Sequence, residues 1–181
     1  MWPVDQPTLA DSNNSLHLRP LRAEDLEAVT SACQDPDIQH FTMVPTPYRR
    51  EDADDFLEAG KTGWAGHTAA IFAIADEQHR FIGACSLLAV DLDKSIAGIG
   101  YWVAPWGRGS GAARQAVTLV TAWAHDVLGV RRLLMEIEPA NPASVRSAVA
   151  AGFRFTGQEA TATVKGEDRL FQIYEHHSAQ D

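Results

Sequence analysis

At 181 residues the chain suits one domain with room for a substantial core. Its 45% apolar content excludes wholesale disorder, and its net charge of −9 argues against a nucleic-acid partner, which would want a basic face. The two cysteines, Cys33 and Cys85, give neither a disulfide framework nor metal-ligand spacing, and no apolar run approaches the roughly 20 residues of a membrane span.

Residues 1–15 are polar and lack the apolar core of a signal peptide, so they read as a flexible tail and the protein as cytoplasmic. Leu16–Leu21 alternates as a strand. Ala23–Gln34 follows as a helix with Glu24 and Asp25 in its first turn. Residues 36–48 hold Pro36, Pro45 and Pro47 among apolar Phe41, Met43, Val44 and Tyr48, which predicts a loop with something to cover. Glu51–Gly60 reads as a short helix ended by its glycine. Ala69–Ala75 and Arg80–Ala89 form a hairpin around Asp76–His79, and Ser95–Val103 is the next strand. A long helix then runs to Leu128 before Gly129, with Ala113, Ala116, Val117, Val120, Ala124, Val127 and Leu128 as its stripe. Arg132–Ile137 alternates Leu133, Met135 and Ile137 against Leu134, Glu136 and the following Glu138. After a short helix come strands over Phe153–Val164 and Arg169–His176, with a turn at Lys165–Asp168. The pattern predicts a mixed α/β, mostly antiparallel sheet with helices on both faces, in one domain over 16–176 followed by a tail at 177–181.

The segment from Tyr101 to Arg114 (YWVAPWGRGSGAAR) joins a strand to a helix through a glycine-rich turn. Such a turn gathers unpaired main-chain N–H groups and the positive end of a helix dipole, which suits a phosphorylated ligand. Three readings compete. A P-loop needs lysine followed by a hydroxyl, and none occurs here. Gly107-x-Gly109-x-x-Ala112 fits a dinucleotide fingerprint with acidic Glu136 and Glu138 downstream, but that fold opens on its motif, and here hairpin-like strands precede it. Arg108-x-x-Gly111-x-Ala113 fits the Gln/Arg-x-x-Gly-x-Gly/Ala pyrophosphate loop of the GNAT superfamily of N-acetyltransferases.

A second segment favours the third reading. Asn141 is a good N-cap, Pro142 suits the first helical position, Gly152 suits the position after the helix, and Val145, Ala148 and Val149 give an apolar stripe. Asn141-x-x-Ser144, followed after seven residues by Gly152-Phe153, resembles the second block of the same superfamily. The resemblance runs from about Leu16 to Glu175 and looks closest to the RimJ/RimL-like branch. Leu16–Leu26 is similar to that branch's opening, Ile99-Gly-Tyr-Trp-Val103 to its fourth strand and Ala151-Gly-Phe153 to its closing signature.

The resemblance implies a sheet whose fourth and fifth strands splay, acetyl-CoA as cosubstrate, no metal, and direct acetyl transfer to a primary amine of a peptide or small molecule. A homodimer is compatible with it. By the same resemblance, Trp102 and Val103 bond the pantetheine arm, Arg108, Gly109, Ser110, Gly111, Ala112 and Ala113 hold the pyrophosphate, and Asn141 touches the cofactor while capping its helix. Many relatives protonate the thiolate with a tyrosine four residues before the Gly-Phe glycine, where this chain has Ala148, so the role passes to Ser144. Relatives often carry a glutamate before the Ile-Gly-Tyr run, where this chain has Gly98, so either a water chain removes the amine proton or another group does, with Glu138 the candidate substitute base. Phe41, Met43, Tyr48, Trp64 and Tyr101 are the candidate acceptor pocket, with His40 and His67 near it. With both usual catalytic positions altered, a CoA-binding module that has lost catalysis is the alternative.

Overall fold

The computed structural model describes residues 1–13 and 15–179. Its sheet comprises β1 (Leu9–Ala10), β2 (Leu16–Pro20), β3 (Ala70–Asp76), β4 (Phe81–Asp91), β5 (Ile96–Val103), β6 (Arg132–Ile137), β7 (Arg154–Val164) and β8 (Glu167–His177). The strands lie in the order β1-β2-β3-β4-β5-β6-β8-β7, and only β5 with β6 is parallel among the pairs. The helices are α1 (Leu26–Ala32), α2 (Pro36–Phe41), α3 (Arg50–Ala65), α4 (Ala112–Asp126) and α5 (Pro142–Ala150). None is long and apolar enough to cross a membrane among the described residues.

Both faces of the central strands are covered, so β3 reads as a continuous apolar run rather than an alternation. Phe72 and Ile74 pack toward α4, while Ala73 joins Leu26, Val29 and Ala53 under α1 and α3. The stripe of α4 buries Ala116, Val117, Val120, Trp123 and Ala124 against the sheet, at about 1.5–3 kcal/mol for each large side chain. Two stripe positions face water instead: Val127 is 45% exposed and Val149 of α5 is 56% exposed. Both cysteines are buried, and burial pushes each thiol up to about 12, so neither is a thiolate at neutral pH.

Three expectations need correction. The helix read as ending at Gly60 continues through Gly63 to Ala65. A methyl at Gly63 would stand 2.9 Å from Ala69 Cβ, and one at Gly60 would stand 3.6 Å from Ile71 Cβ. These glycines let α3 lie close on the sheet instead of stopping it. Within the stretch read as a loop, residues 36–41 form α2, capped by the Asp35 carboxylate on Ile38 N–H at 3.1 Å with Pro36 in its first turn.

The expected N-terminal tail is packed from its second residue. Trp2 is 8% exposed, with its ring 4.9 Å from Trp64 and 5.2 Å from His67. Gln6 Nε2 donates to Ile71 O at 2.8 Å, and Leu9–Ala10 pairs with β2. An indole and a short strand bury enough apolar surface to hold the segment, which polar composition alone concealed. At the other end His177 belongs to β8, and positions 14, 180 and 181 of the two expected tails lie outside the described residues.

Candidate functional site

The central fact of the site is where β5 and β6 stop pairing. Their register holds over Ile96↔Arg132, Ala97↔Leu133 and Gly98↔Leu134 and then ends, although both strands continue. From Ile99 onward the facing edges therefore carry unpaired main-chain groups, which need partners. A cavity of about 1030 Å³ occupies the gap, a size that suits a large ligand.

One end of the cavity is the glycine turn. Gly109 and Gly111 have φ of +80° and +79°, and a methyl built on either meets no atom within 4 Å. The glycines are needed for the left-handed backbone, and the space beside them is open. The first bond of α4 runs from Gln115 N–H to Gly111 O at 3.1 Å. The N–H groups of Ala112, Ala113 and Arg114 precede it, and none finds an acceptor among the described residues. The turn presents a row of free donors at a positive dipole end.

Two residues of the turn behave otherwise than expected. Ser110 Oγ donates to Gly107 O at 2.8 Å, and the residue faces away from the main cavity into a small pocket. The Arg108 guanidinium turns to α2, with Nη2 2.5 Å from Asp35 Oδ1 and Nη1 3.5 Å from Asp37 Oδ2. It ties the roof of the cavity to the turn. Burial would raise the Asp35 carboxyl, but Arg108 and the Ile38 N–H reverse this and hold it below the ordinary carboxylate range. A depressed folded-state value means stability that is present above the unfolded value and lost as pH falls through the folded one. Asp35→Asn keeps the helix cap and removes the charge, so it should cost under about 1 kcal/mol at neutral pH, with Arg108 partly exposed. Urea unfolding should show that difference vanish in acid below the usual carboxylate range; an undiminished gap there would exclude the ion pair as its source.

Along the floor, α5 starts where Asn141 Oδ1 accepts from Ser144 N–H at 3.1 Å, as its cap role requires. The Ser144 hydroxyl lies 3.0 Å from the Tyr101 hydroxyl, across the parted strands. Burial pushes the Tyr101 phenol up, against the pull of its bonds with Ser144 and Ser147. Glu138 just follows β6, and its Oε1 is 3.2 Å from Arg169 Nη1, with both side chains largely buried. Arg169 and Lys165, at the β7–β8 turn, also donate to the His40 and Gln39 carbonyls of α2. The roof helix is thus held at both ends.

Phe41, Met43, Tyr48 and Tyr101 line the cavity, as do Trp102, Val103, Arg108, Gly109, Gly111, Ala112, Ala113, Glu138, Asn141 and Ser144. Trp64 does not. Its ring lies 6.1 Å from Trp123 and its Nε1 donates to Val4 O at 3.1 Å, on the α4 side of the sheet. His67 lies in the same aromatic cluster. The lining also includes Phe56, Phe171 and Asp55, which sequence reasoning missed. Phe56 and Asp55 sit on α3 beyond the proline-rich stretch, and the recurrence of Asp52, Asp55, Phe56 and Ala59 at i, i+3, i+4 and i+7 along that helix was the available signal. Arg108, paired with Asp35 and Asp37, and Arg114 stand at the turn, whereas Asp52, Asp55, Glu136 and Glu138 are the other charged residues of the lining.

Comparison with known proteins agrees with this geometry. A family model described as an acetyltransferase (GNAT) domain matches residues 15–154. A search of the curated proteins found no match. Among solved structures, a GCN5-related N-acetyltransferase from Brucella melitensis is 23% identical, with a TM-score of 0.80 over 98% of this chain and 80% of that one. RimJ of Mycobacterium smegmatis, in complex with CoA-disulfide, is 19% identical with a TM-score of 0.80 over 95% of this chain and 86% of its own. Spermidine N-acetyltransferase from Vibrio cholerae, in complex with CoA and spermine, is 20% identical with a TM-score of 0.77 over 91% and 96%. At these identities the likeness shows a shared fold.

Proposed function

Because the chain belongs to the GNAT acetyltransferase family, whose domain matches residues 15–154, we propose that it moves the acetyl group of acetyl-CoA directly to a primary amine, either a peptide N-terminus or a small-molecule amine. The observation that carries this reading is the single cavity that connects an anion-binding turn, through the parted strands, to an acidic and apolar mouth.

The residues present fit coenzyme A. The free N–H groups of Ala112 to Arg114 suit the diphosphate, and the open space at Gly109 and Gly111 lets it approach the main chain. On the unpaired edge of β5 the Val103 main chain faces the gap and offers its N–H to the amide-bearing arm, whereas Trp102, at the position bonded to Ala84 of β4, lines the gap beside it. When bound, the thioester supplies an activated acetyl group. The chain's part is to hold it, to donate to its carbonyl oxygen and to manage two protons.

Ser144, which lines the cavity, is the candidate to give a proton to the sulfur, and Glu138 is the candidate to receive one from the amine once its Arg169 bond loosens. At the mouth, Asp55 and Glu136 take no ion pair among the described residues, which suits an acceptor that arrives as a cation. Phe41, Met43 and Phe56 supply apolar contact beside them. The spermidine enzyme and RimJ share this fold, so both polyamines and peptide N-termini belong in the first acceptor panel.

The test mixes protein, acetyl-CoA and single amines while free thiol is followed and products are weighed by mass spectrometry. Acceptor-dependent thiol with an acetylated product is the expected result. Tight CoA binding without thiol for any amine would instead establish the module that has lost catalysis.

A further inference from the structure

The Tyr101 and Ser144 hydroxyls meet at 3.0 Å where β5 and β6 part, and both line the cavity. The two residues come from different elements, so the contact spans the gap. Ser144 N–H is already committed to Asn141, and the Tyr101 hydroxyl also reaches the Ser144 carbonyl at 3.4 Å. With its phenolic hydrogen turned to Ser144 Oγ, the serine's own hydrogen is free to point into the cavity.

Resting on the acetyl transfer proposed above, we propose that Tyr101 is the proton reservoir behind Ser144. As the acyl carbon–sulfur bond breaks and sulfur keeps the electron pair, Ser144 Oγ gives its hydrogen to sulfur and takes the phenolic hydrogen of Tyr101. An S–H bond forms, Ser144 ends as it began, and Tyr101 is left as phenolate. The proton shed by the acylated amine returns to Tyr101 through the open cavity, so the cycle closes without any other reactant.

Acidity explains why serine needs such a partner. An aliphatic hydroxyl is about as weak an acid as water, far too weak by itself to protonate a thiolate of ordinary basicity. A phenol is far closer to a thiol in acidity, and remains the better-matched donor although burial raises Tyr101 above its ordinary value. The helix α5 offers Ser144 and Ser147 on this side, both aliphatic alcohols, and Ser147 Oγ is donated to Ala143 O at 3.0 Å. The phenol must come from β5. Burial keeps Tyr101 protonated at neutral pH, as a donor requires.

The test compares Tyr101→Phe, Ser144→Ala, Ser144→Thr and the Tyr101→Phe/Ser144→Ala double variant with wild type. Each loss of a hydroxyl should lower kcat about 100-fold with the CoA dissociation constant, measured calorimetrically, within about twofold. The double variant should be no worse than the poorer single one, because the two act as a unit, and Ser144→Thr should recover most of the rate. Rates in mixed light and heavy water should bow for wild type, with two protons in flight, and become linear in Tyr101→Phe. In the protein without ligand, ultraviolet titration should show that Ser144→Ala moves the ionisation of Tyr101 upward. Multiplying losses in the double variant, or a linear wild-type plot, would overturn the relay while the transferase reading stands. No turnover by wild type with any amine would sink both.

Discussion

Replacing Gly111 with glutamate should abolish coenzyme A binding while leaving the fold in place. The backbone there sits at φ +79°, so any side chain adds about 1–2 kcal/mol of strain. Nothing lies within 4 Å of the added methyl, so no collision follows. What glutamate adds beyond strain is a carboxylate beside the free N–H groups of Ala112, Ala113 and Arg114, where it competes with a diphosphate. Two hydrogen bonds to charged oxygen are worth about 3–6 kcal/mol, or roughly 100- to 10,000-fold in affinity. Gly111→Ala carries the strain without the charge and should bind within about tenfold of wild type. Gly111→Lys carries both strain and the opposite charge and should bind at least as well as alanine. Calorimetric titration of the three variants separates sign from shape; glutamate binding as tightly as alanine would place the diphosphate elsewhere.

What could be read from the chain, and what could not, divides along the range of the interactions. Elements defined by local period and local backbone demand were legible: α4 and α5 with their caps, β6 with its alternation, and the turn at Gly109 and Gly111. The cofactor end of the cavity is built almost wholly from one such local motif. Contacts between distant segments were not legible. Gly60 looks like a helix stop until Ile71 of β3 is seen lying against it. Trp64 looks like pocket wall until Trp2 and Trp123, each about 60 residues away, claim it from either side in sequence. The tie from Arg108 to Asp35, 73 positions away, has no local signal at either end. Tyr101 lines the cavity as its strand position suggests, but nothing in strand spacing tells which helix hydroxyl it will meet across a splay.

The buried pair of Arg19 and Asp25 makes the largest stability prediction. Both residues are 5% exposed, and their side chains meet through two bonds of 2.7 Å. Asp25 Oδ2 also accepts from Arg22 N–H at 2.9 Å, which closes the turn leading into α1. Asp25→Asn preserves that turn bond and nearly the same volume but strips the charge from beside a buried guanidinium. Uncompensated, the guanidinium should cost about 3–5 kcal/mol, a large part of the whole stability of a domain, and lower the melting midpoint by roughly 10 °C. A double replacement, Arg19→Met with Asp25→Asn, removes the stranded charge and keeps the turn, so it should regain most of the loss. The Arg19 Nε, buried with no hydrogen-bond partner among the described residues, also leaves with it. Urea unfolding of both variants decides the matter, because a merely local effect at Asp25 would leave the double variant as unstable as the single one. Helix α1 packs under Tyr48 and Trp102 at the acceptor side, so the folded fraction of Asp25→Asn should still bind coenzyme A with wild-type affinity. Loss of affinity in parallel with stability would instead mean that this pair props the cavity as well as the fold.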